Sequence, residues 1–127
     1  MNVDKTFVNK AILKILTTLY DAFPVPIPLN PELLDPNANA EERQIYSELI
    51  GWLSDEGFIR TGNILLDGTY TQVVLTLKGF AVLNAIPDAL REKKTFGDYF
   101  RELLKEGSVN AINQAVGIFL SYLINNK

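Results

Sequence analysis

From Val3 to Phe23, Val8, Ala11, Ile12, Ile15, Leu16, Leu19 and Phe23 fall at three- and four-residue steps. That spacing predicts a first helix with one buried stripe. The pattern then stops at "FPVPIPLNP". Pro24, Pro26 and Pro28 cannot continue a helix and favour a stiff, extended connector. Asn30-Pro31 has the form of an N-cap followed by a first-turn proline, opening a short helix over "PELLD" that Pro36 ends. A third helix is predicted through "NANAEERQIYSELIGWLSDEGFI". Asn37 or Asn39 caps it, Ile45, Tyr46, Leu49, Trp52 and Leu53 form its inward stripe, and Gly57 is its left-handed stop.

The period then changes from helical to alternating. Phe58-Ile59-Arg60 begins a strand, and Asp67-Gly68 in "NILLDGTYTQVVL" lies between two β-prone runs, a hairpin signal. "TQVVLTL" is rich in β-branched residues, whereas "TLKGFAVLNAI" returns to helical spacing. Thr76 stands at the joint, where its hydroxyl can cap a helix starting at Leu77. Gly79 either lets that helix pack close to the sheet or tolerates a tight start. The expected core includes Ile12, Leu16, Leu49, Trp52, Leu53, Val74, Leu75, Phe80 and Leu83.

The order helix-helix-helix-strand-strand-helix, with "ELIGWLSDEGFIR" and "VVLTLKGFAVL" as the carrying residues, resembles the winged helix-turn-helix domain of bacterial regulators. The second motif looks like the Leu-Thr-x-Lys-Gly-x-x-x-Leu exit of that family. The resemblance covers Val3 to Ile86 and implies an α+β, mostly helical fold with a small antiparallel hairpin. It also implies a domain over 1–86 and a C-terminal helical extension over 87–127. In the resembling family the third helix enters the major groove and the wing touches the flanking backbone. Carried over, the partner-facing residues are Gln44, Ser47, Glu48, Gly51 and Asp55 on the third helix, with Asn63, Asp67, Gly68, Thr69 and Tyr70 on the wing.

Charge opposes the DNA role that this resemblance brings with it. Phosphate neutralisation by Lys and Arg supplies most non-specific affinity for a duplex. From 41 to 60 the chain has Glu41, Glu42, Glu48, Asp55 and Glu56 against Arg43 and Arg60, and the wing has no cation before Lys78. Gln44 can pair bidentately with adenine, yet it lacks nearby positioning contacts. Lys5, Lys10 and Lys14 either add such contacts or form an ordinary solvated face. The preferred expectation is therefore an acidic protein-interaction or regulatory module with a basic protein partner, for instance a nuclease toxin that it neutralises. The alternative is a dimeric winged-helix transcriptional regulator.

In the extension, Asp88, Glu92, Asp98, Glu102 and Glu106 are interleaved with Arg91, Lys93, Lys94, Arg101 and Lys105. Leu90, Phe96, Tyr99, Phe100, Leu103 and Leu104 supply apolar contacts, Gly97 is placed to break the helix, Gly107 ends it, and Ser108 caps the last one. There Ile112, Ala115, Val116, Phe119, Leu120, Leu123 and Ile124 make an apolar seam. Burying its six large side chains contributes on the order of 9–18 kcal/mol before entropy costs, so it needs a cover. Either it folds back on its own chain, or Ile112, Val116, Phe119, Leu120 and Leu123 pack on a second copy. The homodimer is narrowly preferred. A membrane surface is disfavoured because the polar face has no Lys or Arg before Lys127.

Composition narrows the chemistry. With 47% hydrophobic and 21% charged residues, the chain has enough apolar content for a core of its own. It has no cysteine and no histidine, which removes thiolate metal sites, a cysteine nucleophile and the commonest general base. No Asp/Glu spacing of the EF-hand kind occurs. The expectation is a non-enzyme without catalytic, metal or cofactor residues. The absence of cysteine suits a reducing cytoplasm, and no apolar block has the length of a signal peptide or membrane span.

Overall fold

A computed structural model describes residues 2–125; Lys127 lies outside the described residues. The elements are α1 (Lys5–Ala22), β1 (Ile27–Leu29), α2 (Pro31–Leu34), α3 (Ala40–Asp55), β2 (Ile59–Arg60), β3 (Tyr70–Leu75), α4 (Leu77–Leu83), α5 (Phe96–Glu106) and α6 (Val109–Asn125). The fold is α+β and mostly helical. The chain forms two compact units, one of Thr18–Phe80 and one of the residues before and after it, with the divisions falling inside α1 and α4.

In the Thr18–Phe80 unit the sheet has three antiparallel strands in the order β1-β3-β2. This corrects the expected two-stranded hairpin: the proline-rich connector supplies the third strand, with Ile27 opposite Val73 and Leu29 opposite Tyr70. Proline is admitted because β1 is an edge strand, where a missing donor need not break a ladder. The register shifts between Ile27 and Leu29, and Gln72 takes up the extra residue at φ 51, as in a bulge. The other expected arm, 63–67, makes only a single bridge between Ile64 and Tyr70. Its turn closes where expected, with the Gly68 N–H donating to Leu65 O at 2.9 Å and Gly68 in the left-handed region.

Caps fix the helices. Asn30 works twice: its Oδ1 accepts from the Leu33 N–H at 2.8 Å, and its Nδ2 donates to Thr69 Oγ1 at 3.0 Å, tying α2 to the residue before β3. Asn39 and Glu42 form a reciprocal capping box at the start of α3. At the strand-to-helix joint, Thr76 Oγ1 accepts from the Gly79 N–H at 3.1 Å and donates to Gly57 O at 2.6 Å. A Cβ on Gly79 would lie 2.1 Å from Phe58 O. Close approach to the backbone leading into β2 is therefore the reason for this glycine.

Tyr46, Ile50, Leu53, Ile59, Val73 and Leu75 form the core of this unit, and Phe23 stacks on Phe80 at 4.1 Å between centroids. Two expectations for α3 are corrected. Ile50 is fully buried, whereas Trp52, assigned to the core, is 46% exposed. Leu49 and Phe80 are half-buried. The buried line 46-50-53 has helical steps of four and three, and it leaves Trp52 on the other side of the helix.

In the second unit, residues 87–95 are turns and bends, and α5 begins at Phe96 with Thr95 Oγ1 accepting from the Asp98 N–H at 3.0 Å. Gly97 thus sits buried in the first turn and does not divide the helix. Gly107 ends α5 at φ 72, and Ser108 Oγ accepts from the Ala111 N–H at 3.3 Å. Phe96 meets Phe100, Phe119 and Tyr122 at centroid distances of 5.6, 5.2 and 5.3 Å. The last two contacts are edge-to-face, the arrangement that ring quadrupoles favour.

Candidate functional site

The outer face of α3 and the start of β3 bring together much of the partner-facing set. Glu48, Trp52 and Asp55 are four and three residues apart, so helical spacing puts them on one face. With Ser47, Gly51 and Tyr70 they line a cavity of about 270 Å³. Tyr70 closes it from the sheet by donating its hydroxyl hydrogen to Ser47 O at 3.2 Å. A Cβ on Gly51 would lie 3.4 Å from Tyr70 Oη, an ordinary contact, which places this glycine beside the phenol in the lining. The Tyr70 hydroxyl has a raised pKa, first from burial and then from the Glu48 and Asp55 carboxylates. Both carboxylates therefore act on the same spot.

A neighbouring cavity of about 320 Å³ takes in Gln44, Ser47, Asp67 and Gly68 from the expected set, together with Arg43 and Glu32. Asp67 accepts from the Thr69 N–H at 2.9 Å, and that bond is the first cause of its lowered pKa. Thr69 itself is buried and bonded to Asn30, so it braces the 63–69 turn from inside. Arg43 directs its Nε–H to Ala38 O at 3.1 Å, folding this cation back on the start of α3. Glu42 is engaged in the capping box, leaving Glu41, Glu48, Asp55 and Glu56 exposed along the helix.

Two features escaped sequence reasoning. The apolar stripe assigns Trp52 to the core, although 46, 50 and 53 form an equally regular line. Ile64, Leu65 and Leu66 are all exposed in the segment before the Asp67–Gly68 turn. Three consecutive apolar residues in a hairpin arm cannot all face one side, and that was the available signal.

The C-terminal seam divides. Ile112, Val116 and Phe119 are buried within the single chain, Leu123 is half-buried, and Leu120 and Ile124 are exposed. A second copy therefore has only this outer line to cover. Larger cavities of about 570 and 680 Å³ lie along the 87–95 segment and α6. They gather no comparable charge of one sign, since Lys94 pairs with Glu92 and Glu102 at the first. Among the described residues no three His, Cys, Asp or Glu side chains gather as metal ligands would, and no helix is long and apolar enough to cross a membrane. No family model, curated protein or solved structure matches the chain.

Proposed function

We propose that this protein is a non-catalytic interaction module of winged-helix type, whose α3 and wing present a negative surface to a basic protein. The supporting observation is the outer face of α3, where Glu41, Glu48, Asp55 and Glu56 are exposed against the helix's single cation, Arg43, itself exposed and bonded through its Nε–H to Ala38 O. Such a surface attracts Lys- and Arg-rich partners and repels phosphate. The scaffold reading is supported by the element order, which contains the three helices, the β2–β3 pair and the capped α4, with β1 added. A homodimer through Leu120, Leu123 and Ile124 accompanies the reading.

Duplex binding is the second reading, favoured by that element order alone. Titration of labelled random duplex and of a labelled Lys/Arg-rich peptide, each at several salt concentrations, separates the two. The peptide should bind, whereas duplex should show a dissociation constant near or above the micromolar range at physiological salt, the non-specific level. Glu41→Gln with Glu48→Gln should weaken the peptide and strengthen residual duplex binding. Nanomolar duplex affinity that falls steeply with salt would replace this reading with the second.

A further inference from the structure

We propose that the cavity between α3 and Tyr70 is a receptor for an arginine side chain, with Trp52 as its stacking platform and Glu48 and Asp55 as its counter-charges. This rests on the acidic-surface reading and names the group that the surface recognises. The cavity of about 270 Å³ combines an indole, a phenol and two carboxylates. Among the described residues neither Glu48 nor Asp55 is in an ion pair. Among the described residues, then, no cation is paired with these two carboxylates, and both act on a partly buried hydroxyl. A cation is the ligand that such a field selects.

The aromatic groups specify the kind of cation. Trp52 is 46% exposed, and indole is the strongest ring platform for a cation. Half-exposed tryptophans also dominate binding energy where a partner covers them. A guanidinium is planar, weakly hydrated and able to stack on a ring while its edge donates to a carboxylate, whereas an ammonium is a compact, strongly hydrated point charge. Asp55 and Glu48 lie about one turn to either side of Trp52 along α3, so a guanidinium on the indole has a carboxylate within reach at either edge. Gly51 completes the case. Glycine is unfavourable inside a helix, and a Cβ at this one would stand beside the phenol, 3.4 Å from Tyr70 Oη.

Trp52 is the sole tryptophan, so its fluorescence reports the cavity directly. The probe is a short peptide of alternating Gly and Arg, compared with its Lys and citrulline counterparts; calorimetry gives affinities for variants lacking the fluorophore. The Arg peptide should change Trp52 emission saturably. Lysine should bind several-fold more weakly, and neutral citrulline at least tenfold more weakly. Trp52→Ala should lower Arg-peptide affinity roughly five- to tenfold, as should Glu48→Gln with Asp55→Asn. Gly51→Ala should weaken binding without lowering the melting temperature, which separates loss of the cavity from loss of the fold. If the Arg peptide binds but Trp52→Ala leaves its affinity unchanged, the receptor proposal fails and the acidic-surface reading stands. Equal affinity for Arg and Lys peptides would overturn the guanidinium assignment. If no basic peptide binds the wild-type protein, both fail.

Discussion

α3 and α6 each carry a wide apolar stripe, yet they use it differently. In α6, Ile112, Ala115, Val116 and Phe119 are all buried, and Phe119 lies edge-on to Phe96 and Phe100 at 5.2 and 5.3 Å. In α3 the buried line is Tyr46, Ile50 and Leu53, and the largest apolar residue, Trp52, stands at a cavity rimmed by carboxylates. The helices differ in what surrounds the stripe. α6 has an aromatic cluster to receive it, and its polar residues are uncharged. α3 carries Glu48 and Asp55 beside its tryptophan, and carboxylates cannot be drawn into a core without a partner. Charge beside an apolar line opposes turning that line inward, and the elements that face the helix receive the other.

The strongest way to break this comparison is to truncate the two aromatics. Phe119→Ala removes a buried ring from the Phe96–Phe100 cluster and should cost about 3–5 kcal/mol. Trp52→Ala removes a half-exposed ring and should cost well under half of that, about 1 kcal/mol. Denaturant unfolding of both variants checks it. Equal losses would mean that Trp52 is a core residue after all, as its place in the stripe first indicates.

That first indication shows where sequence reading reached and where it stopped. Local chemistry was legible: Asn30 and Asn39 cap α2 and α3, Thr76 caps α4, and Gly57 and Gly107 take left-handed conformations. Each depends on a donor or a φ value within a few residues. The strand at Ile27–Leu29 was not legible, because three nearby prolines argue against it and its pairing partner lies over forty residues away in sequence. Gly79 was ambiguous for a similar reason, since the obstacle is a carbonyl of Phe58. At the candidate site, Glu48, Asp55 and Tyr70 follow from the winged-helix resemblance and the acidic character from a count of charges, whereas periodicity assigns Trp52 to the core. Periodicity says that a helix has an apolar side; the facing elements say which of two overlapping sides it is.

A second test sharpens the α6 side. Val109, Leu120 and Ile124 are its exposed large apolar residues, the last two one turn apart, and Gly117 has open space around it. If a second copy covers them, wild-type protein should sediment as a dimer at micromolar concentration. Leu120→Glu with Ile124→Glu should then give a folded monomer with an unchanged melting profile at high dilution, because charge buried without a partner costs several kcal/mol at the interface alone. A wild type that is monomeric at that concentration removes the dimer, and the outer line of α6 is then a solvent-facing edge of a stripe buried within its own chain.

The smallest expected effect concerns the α3 side and is read by pH. Tyr70 donates to Ser47 O and faces Glu48 and Asp55, and burial and then those charges raise its pKa above the ordinary value of 10.0. The folded state therefore favours the neutral phenol. Stability from this group is fully present below about pH 10, the unfolded value, and is lost as pH rises through the higher folded value, where the anion can no longer donate and meets two carboxylates. Because the ring is partly exposed, the loss should stay below about 1 kcal/mol. Tyr46, fully buried beside Asp35, is shifted upward more strongly, so alkaline destabilisation of the wild type is not due to Tyr70 alone. The Tyr70→Phe variant isolates its share. Its melting temperature should be slightly lower at pH 7, through the lost hydrogen bond, and should fall less steeply above pH 10. Glu48→Gln with Asp55→Asn should shift the Tyr70 part of the absorbance titration to lower pH. An unshifted titration in that double variant would show that the two carboxylates do not converge on the Tyr70 side of the cavity, and the face of α3 would then be acidic without being focused.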